Sequence, residues 1–327
     1  KTNIEFNQRL GVYKYGKKQT IRDATSLGSA RQLLRALHVI EFIEEMIDTE
    51  KSSTLREMYY ISEGWGLGKF GTQNESNNLA EDLEIVTKCM REDFKLRPEE
   101  DGARMIGNVT IEERNRKGDW MTINCRDDVG DSGYGLPYNV EPEKIRLIDQ
   151  DIDYIMAIET GGMFDRLVEN GFDEDSRCAL IHLKGQPARS TRRMIKRMSE
   201  AWNKPVMVFA DCDPWSFRIF ASIAYGAIKT AHISEYLATT GAEYLGITAD
   251  DIDAYDLPSD KLTPKDIEAL KAELSDPRFS TAEWQDQINY MLKHGKKAEQ
   301  QSLAKYGLDY VTDEYLPEKL AEFGLGG

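Results

Sequence analysis

The chain has 327 residues, of which 40% are hydrophobic and 30% are charged, and its formal net charge at pH 7 is −15. This length exceeds what one ordinary hydrophobic core organises, so we expect two domains. The apolar runs are short and interrupted, so no segment approaches a membrane span. The four cysteines are scattered and have no C-x-x-C spacing, so they suggest neither a zinc site nor a disulfide framework. A protein of the reducing cytoplasm is expected.

Basic residues are concentrated in two stretches, although the chain as a whole is acidic. The opening segment, taken as residues 1–28, and the stretch 184–204 are both rich in Lys and Arg. Nucleic-acid binding depends on neutralising phosphates, so the net charge argues against it and the two basic stretches argue for it. Solvated helix faces are the alternative interpretation. The candidate DNA contacts are Lys184, Arg189, Arg192, Arg193 and, between two β-prone stretches, Lys117.

Three helices are predicted in the front half of the chain. Apolar residues recur every three to four positions from Leu33 to Ile47, which predicts an amphipathic helix over about residues 29–48. Thr54 and Glu57 have the spacing of a capping box, so a second helix should begin there; it carries R-E-M-Y-Y-I-S and ends near Gly64. A third helix is expected over about residues 77–92.

Two β-prone stretches follow, at residues 106–112 and 120–124, and the turn-like N-R-K-G-D between them places Lys117 at the tip of a hairpin. Three helices and a basic-tipped hairpin predict a winged helix over residues 29–125, a variant of helix-turn-helix. Many winged helices bind only protein. Residues 126–143 contain five Gly or Pro residues and are interpreted as a linker.

Strand and helix signals alternate over residues 144–327, which predicts an α/β domain with a parallel sheet and a helical C-terminal extension. The expected buried strands include residues 152–158, 178–183 and 206–210. In such sheets, ligands bind beyond the carboxyl ends of the strands. Glu159 ends one of these strands, and Asp211 and Asp213 end a later one.

The two aspartates stand two positions apart in K-P-V-M-V-F-A-D-C-D-P-W-S-F, so in extended backbone their carboxylates point the same way. Such a pair repels unless a cation lies between its members, and carboxylates that act next to phosphates commonly hold Mg²⁺. A solvated loop or a helix N-cap accounts for an isolated D-x-D at least as well. Because Glu159 stands at another strand end, we predict a metal site formed by Glu159, Asp211 and Asp213.

These motifs together resemble one known family. A-I-E-T-G-G-M-F at residues 157–164 and D-C-D-P-W at residues 211–215 resemble a Toprim domain, and R-E-M-Y-Y at residues 56–60 precedes it in the predicted winged helix. With K-G-Q-P at 184–187 and A-Y-G-A-I-K at 224–229, the chain resembles the family that contains the A subunit of archaeal DNA topoisomerase VI and the eukaryotic protein that makes meiotic double-strand breaks. The implied fold class is α/β plus mainly α, a winged-helix domain followed by a Toprim domain.

The resemblance implies that Tyr60 attacks a DNA phosphodiester and forms a transient 5′-phosphotyrosyl link, so that religation needs no external energy. A phenol has a pKa of about 10 and needs activation at neutral pH. Arg56 lies four residues before Tyr60, on the same helix face, where it could hold the phosphate. Mg²⁺ on Glu159, Asp211 and Asp213 would stabilise the reacting oxygens, or Glu159 would serve partly as acid and base.

The resemblance further implies a homodimer on double-stranded DNA, in which the tyrosine of one copy works with the acids of the other. No G-x-x-x-x-G-K-[ST] loop is found, so ATP is expected on a separate ATPase B subunit, in an A2B2 assembly that relaxes supercoils by strand passage. The protein would associate with the nucleoid and not with a membrane. Two alternatives stay open: a stand-alone break-forming transesterase or nuclease, and a non-catalytic DNA-binding module.

Overall fold

A computed structural model of the chain describes residues 3–19, 21–97 and 102–325. The described residues divide into two compact units, the first from residues 3–5, 15–19 and 21–97 and the second from residues 6–14 and 102–325. None of the described helices combines the length and the apolar character that crossing a membrane requires. A hairpin of β1 (Ile4–Asn7) and β2 (Val12–Tyr15) opens the described chain.

The first unit is mainly helical. Its elements are α1 (Leu27–Asp48), β3 (Ser53–Thr54), α2 (Leu55–Ile61), α3 (Gln73–Thr87) and β4 (Leu96–Arg97). The short strands β3 and β4 pair in parallel, and the core packs α1, α2 and α3 through Val39, Met58 and Leu79. The three predicted helices are therefore present, although the third begins and ends earlier than expected.

The capping box predicted for α2 is confirmed. The Thr54 hydroxyl accepts a hydrogen bond from the Glu57 backbone N–H at 3.0 Å, and the Thr54 N–H donates to Glu57 Oε2 at 2.7 Å. These bonds satisfy backbone donors that the first turn of a helix leaves unpaired. After α2, two short 3₁₀ turns follow, Ser62–Gly64 and Gly66–Gly68, so the glycines end the helix as predicted.

The predicted hairpin exists but belongs to the second unit. The strands of this region are β5 (Arg104–Ile106), β6 (Val109–Arg114), β7 (Trp120–Asn124), β8 (Tyr134–Gly135) and β9 (Ile145–Gln150). β6 pairs with both β7 and β9, and this antiparallel sheet lies in the second unit. The chain passes from the first unit to the second at residues 101/102, so the winged-helix domain expected over residues 29–125 is divided between the units. The winged-helix interpretation stays a prediction for the three helices alone.

Residues 126–143 do not form an open linker. Tyr134 lies in β8, which pairs with β5, and Tyr134, Leu136 and Val140 are buried in the core of the second unit. Isolated apolar residues between glycines and prolines give no periodic signal, which is why the sequence favours a linker here. The segment is part of the second unit.

The second unit is built on a six-stranded sheet. Its remaining strands are β10 (Tyr154–Ile158), β11 (Cys178–His182), β12 (Val206–Phe209) and β13 (Ala242–Gly246). The strand order is β13-β12-β10-β11-β5-β8. The first four strands pair in parallel, and the β11–β5 and β5–β8 pairings are antiparallel. All residues of β10, β11 and β12 are buried, as expected for strands covered on both faces.

Helices and short strands complete the second unit. They are α4 (Gly161–Glu169), α5 (Phe172–Asp175), α6 (Arg189–Trp202), α7 (Pro214–Ala224), α8 (Ser234–Leu237), α9 (Ala249–Ala254), β14 (Asp260–Lys261), α10 (Pro264–Glu273), α11 (Ala282–His294), β15 (Lys296–Lys297) and α12 (Leu316–Glu322). The expected parallel sheet and helical C-terminal extension are both present.

Candidate active site

The three predicted acids come together at one edge of the parallel sheet. Glu159 directly follows β10, and Asp211 and Asp213 follow β12. These strands are neighbours, with Ile158 opposite Phe209, and the Glu159 N–H donates to the Phe209 carbonyl oxygen at 3.1 Å. The carboxyl ends of adjacent parallel strands therefore bring the acids to one place, as the strand-end argument requires.

Backbone N–H groups orient each of the three carboxylates. Glu159 Oε2 accepts from the Asp211 N–H at 3.2 Å, and Asp211 Oδ1 accepts from the Gln300 N–H at 2.8 Å. Asp213 Oδ1 accepts from the Ser216 N–H at 2.8 Å and so caps the N-terminus of α7. One oxygen of each carboxylate thus accepts a backbone hydrogen bond, and the second oxygen takes no part in these three bonds.

The electrostatics of the site favour a bound cation. Burial raises the pKa of Asp211 to about 7, and the negative charges of Glu159, Asp213 and Glu299 contribute to the rise. Burial also raises the pKa of Glu159, to which Asp213 and Glu299 again contribute. A divalent cation bound between these carboxylates would offset both their mutual repulsion and the unfavourable free energy of burying their charges.

The donor set fits a hard cation such as Mg²⁺, which prefers carboxylate oxygens. Within residues 3–19, 21–97 and 102–325, no three His, Cys, Asp or Glu side chains are already arranged closely enough to hold one ion. The three carboxylates would therefore have to move closer together for one ion to bind all of them. The chemistry of the residues therefore fits a metal site whose final geometry depends on the ion.

Tyr60 and Arg56 lie on α2 in the first unit. The Tyr60 side chain is 58% exposed, whereas Tyr59 is half-buried and packs against the core of that unit. Their rings meet edge to face with centroids 5.4 Å apart. Arg56 is also exposed. Of the adjacent tyrosines, Tyr60 is therefore the more exposed to solvent.

The five predicted DNA contacts separate into two groups. Lys184, in the loop after β11, and Lys117, at the tip of the β6–β7 hairpin, are exposed. Arg193 instead donates to both oxygens of Glu141, at 2.8 and 3.1 Å, and its guanidinium lies 3.6 Å from the centre of the Tyr236 ring.

Burial and internal hydrogen bonds argue against two of the predicted DNA contacts, Arg192 and Arg193. Arg192 is only 6% exposed, and Arg193 is committed to Glu141 within its own unit. Arg189 is half-buried at the first position of α6. The sequence predicts a basic helix, but α6 also carries Met194, Ile195 and Met198, which are buried. Basic side chains next to this apolar face are partly buried together with it.

Two residues near the acids were missed by the sequence analysis. Glu299 contributes negative charge at both Glu159 and Asp211, and Gln300 donates its N–H to Asp211. Both lie in K-A-E-Q-Q at residues 297–301, in a tail that carries no metal-site pattern. Gln300 and Asp211 are 89 positions apart, and no local sequence signal connects them.

Three family models match consecutive parts of the chain. Residues 31–96 match "Type IIB DNA topoisomerase", residues 99–151 match "All-beta domain in DNA topoisomerase VI alpha subunit", and residues 154–320 match the Toprim domain of Spo11 and of the topoisomerase 6 A subunit. The all-β match includes the segment first interpreted as a linker. A mainly helical unit, an all-β segment and a Toprim domain with acids at its strand ends define the class of type IIB DNA topoisomerases.

Curated relatives narrow this class to one component of the enzyme. Proteins named as the A subunit of type 2 DNA topoisomerase 6 are 56% identical in Archaeoglobus fulgidus, 52% in Natronomonas pharaonis and 52% in Methanosarcina mazei. Each match covers 99% of this chain and 88 to 89% of the relative. The chain belongs to the family of A subunits of type 2 DNA topoisomerase 6.

Proposed function

We propose that this chain is the DNA cleavage and religation subunit of a type IIB topoisomerase, in which Tyr60 forms a transient 5′-phosphotyrosyl double-strand break. The observation that carries the proposal is the meeting of Glu159, Asp211 and Asp213 at the ends of β10 and β12 in the Toprim domain. The exposed phenol of Tyr60, in the part of the chain that matches the type IIB model, supports it.

The reaction is a transesterification. The Tyr60 oxygen forms a bond to the phosphorus and loses its proton, and the bond from phosphorus to the 3′ oxygen breaks, so that the leaving oxygen takes up a proton. Arg56, one helical turn before Tyr60, would hold the phosphate and favour the phenolate. Religation reverses the same steps, since the phosphotyrosyl bond retains the energy of the phosphodiester.

Glu159, Asp211 and Asp213 would hold Mg²⁺, with Glu159 as ligand or as acid and base. When bound, the ion would polarise the phosphoryl oxygens and stabilise the leaving 3′ oxygen. The N–H groups of Asp211, Gln300 and Ser216 keep one oxygen of each carboxylate oriented, which limits the reorganisation that binding requires.

The assembly that we propose is a homodimer on double-stranded DNA, joined by an ATPase B subunit in an A2B2 complex. One Tyr60 would act with the acids of the other copy, so that the dimer has two sites for the two strands. ATP would bind the B subunit, because this sequence has no G-x-x-x-x-G-K-[ST] loop. Lys184 and Lys117 would contact phosphates. The complex would act on the nucleoid in the cytoplasm.

The test uses supercoiled plasmid, Mg²⁺, ATP and a B subunit, followed by denaturation with detergent. Wild type should relax the plasmid and leave protein linked to 5′ ends, and Tyr60→Phe should abolish the links because it removes the attacking oxygen. Tyr59→Phe is the matched control and should retain them. Links that persist in Tyr60→Phe would exclude this nucleophile.

The same reactions separate the alternatives. A stand-alone break-forming transesterase would produce protein-linked breaks when the B subunit is omitted and would not reseal them, and a nuclease would leave breaks without links. A non-catalytic DNA-binding module would retain the plasmid in a shift assay and produce neither breaks nor links.

A further inference from the structure

A short segment of the tail around Ala298 pairs with the backbone of the D-x-D motif. The Cys212 N–H donates to the Ala298 carbonyl oxygen at 2.8 Å, and the Ala298 N–H donates to the Cys212 carbonyl oxygen at 3.2 Å. This reciprocal exchange defines one antiparallel pair, Cys212 with Ala298. Both residues are buried.

The register of this pair places Glu299 beside the acids. In an antiparallel pairing, the residues that flank a pair stand opposite each other, so Asp211 is opposite Glu299 and Asp213 is opposite Lys297. Side chains alternate between faces along extended backbone. Asp211, Asp213, Lys297 and Glu299 therefore share the face opposite to the buried Cys212 and Ala298. The Lys297 ammonium forms an ion pair with Asp266 Oδ2 at 3.0 Å.

Gln300, the residue after Glu299, holds this segment of the tail beside the acids. The Gln300 N–H donates to Asp211 Oδ1 at 2.8 Å, and the Thr160 hydroxyl, next to Glu159, donates to Gln300 Oε1 at 3.0 Å. The Gln300 side chain is fully buried, and its amide nitrogen has no hydrogen-bond partner in the part of the chain that the structure describes. Glu299 itself is exposed, and its charge acts on both Glu159 and Asp211.

We propose that Glu299 is a fourth carboxylate of the divalent-cation site, held opposite Asp211 by the Cys212–Ala298 pair and the Gln300 N–H. This inference rests on the metal site of the proposed function. The three strand-end acids each use one oxygen on a backbone N–H. Glu299 is exposed to solvent and would add its oxygens to this set.

Binding of Mn²⁺, as a paramagnetic probe, to the full chain without DNA tests the proposal. Electron paramagnetic resonance measures the free ion during titration of wild type, Glu299→Gln, Asp211→Asn and Glu268→Gln. Glu268 is an exposed acid of the same unit, on α10, and provides the matched control. Loss of an outer-shell partner of a metal ligand already weakens metal binding about 10- to 100-fold. Glu299→Gln should therefore weaken Mn²⁺ binding tenfold or more, as that range implies, and Glu268→Gln should not.

Thermal unfolding in a chelator checks the fold of each variant. Glu299→Gln should unfold at or above the wild-type temperature without metal, because it removes one of several repelling charges, and should gain less from added Mn²⁺. Glu299→Asp, which keeps the charge on a shorter side chain, should recover part of the affinity.

The variants also distinguish the two proposals. Wild-type Mn²⁺ affinity in Glu299→Gln together with a loss in Asp211→Asn would overturn the role of Glu299 and leave the metal site in place. Wild-type affinity in both variants would overturn the metal site itself, and the role of Glu299 with it.

Discussion

Asp213 has an observed role as a helix cap and a proposed role in the metal site, and a single substitution can separate the two. Its Oδ1 accepts the Ser216 N–H at 2.8 Å and caps α7, and its carboxylate also belongs to the proposed metal site. A cap needs only a side-chain oxygen, whereas a metal site needs negative charge. The two interpretations of a D-x-D, helix cap and metal ligand, are therefore compatible at this residue, because the same side chain can serve as both.

We predict that Asp213→Asn retains stability and loses DNA cleavage, since Asn is as good an N-cap as Asp but carries no charge. Asp213→Ala should lose cleavage and, in addition, about 1 kcal/mol of the free energy of unfolding. Urea denaturation and the adduct assay measure the two effects. Full cleavage by Asp213→Asn would remove Asp213 from the metal site.

Lys184 and Arg193, both first interpreted as phosphate contacts, should respond differently to substitution. Arg193→Met leaves the Glu141 carboxylate, whose side chain is 10% exposed, without its main partner, and should cost about 3 kcal/mol of stability. Lys184→Gln should leave stability unchanged and reduce the slope of log affinity against log salt by about one, as for the loss of one phosphate contact.

Urea unfolding and DNA binding across a salt series measure these effects. An unchanged salt slope in Lys184→Gln would exclude Lys184 from the DNA surface. An unchanged stability in Arg193→Met would contradict the structural role of the Arg193–Glu141 pair.

At the scale of elements, the position of the acids depends on the close packing of β12 against β13. A Cβ on Gly246 would lie 2.0 and 2.2 Å from two ring carbons of Phe209, which is fully buried. Phe209 precedes Asp211 by two residues. Any shift of this ring therefore acts on the strand that presents the D-x-D motif.

Gly246→Ala should destabilise the protein by about 1–3 kcal/mol, because it overpacks a core that has no space for a methyl group. Gly241→Ala is the matched control, since a Cβ there meets nothing within 4 Å. Urea denaturation provides the comparison. Equal stability of the two variants would mean that β12 and β13 separate easily, against the close packing of Phe209 on Gly246.

The sequence predicts those elements whose signal is local. β10, β11 and β12 are continuous apolar runs, and Thr54 with Glu57 is a capping box within four residues, so both were found. β13 mixes buried and exposed residues at the edge of the sheet, and it was missed. Gln300 and Glu299 reach Asp211 through tertiary structure alone, which no local pattern contains.

At the scale of the whole molecule, the proposed reaction needs residues from both units. Tyr60 and Arg56 belong to the first unit, and Glu159, Asp211 and Asp213 belong to the second. In the proposed dimer, the tyrosine of one copy acts with the acids of its partner on one phosphate. Two copies then provide two equivalent sites, one for each strand of a duplex.

Heterodimers with differently tagged chains test whether each site is shared between the two copies. If the site is shared between copies, pairing Tyr60→Phe with Asp211→Asn leaves one complete site, built from the intact tyrosine of the Asp211→Asn chain and the intact acids of its partner. Pairing wild type with a chain that carries both substitutions leaves no complete site.

The measurement is protein-linked DNA after denaturation, with Mg²⁺, ATP, supercoiled plasmid and the B subunit. We predict single-strand breaks linked to the Asp211→Asn chain in the first heterodimer and none in the second. Links in the second heterodimer and none in the first would show that each copy uses its own tyrosine and acids, and would contradict the account.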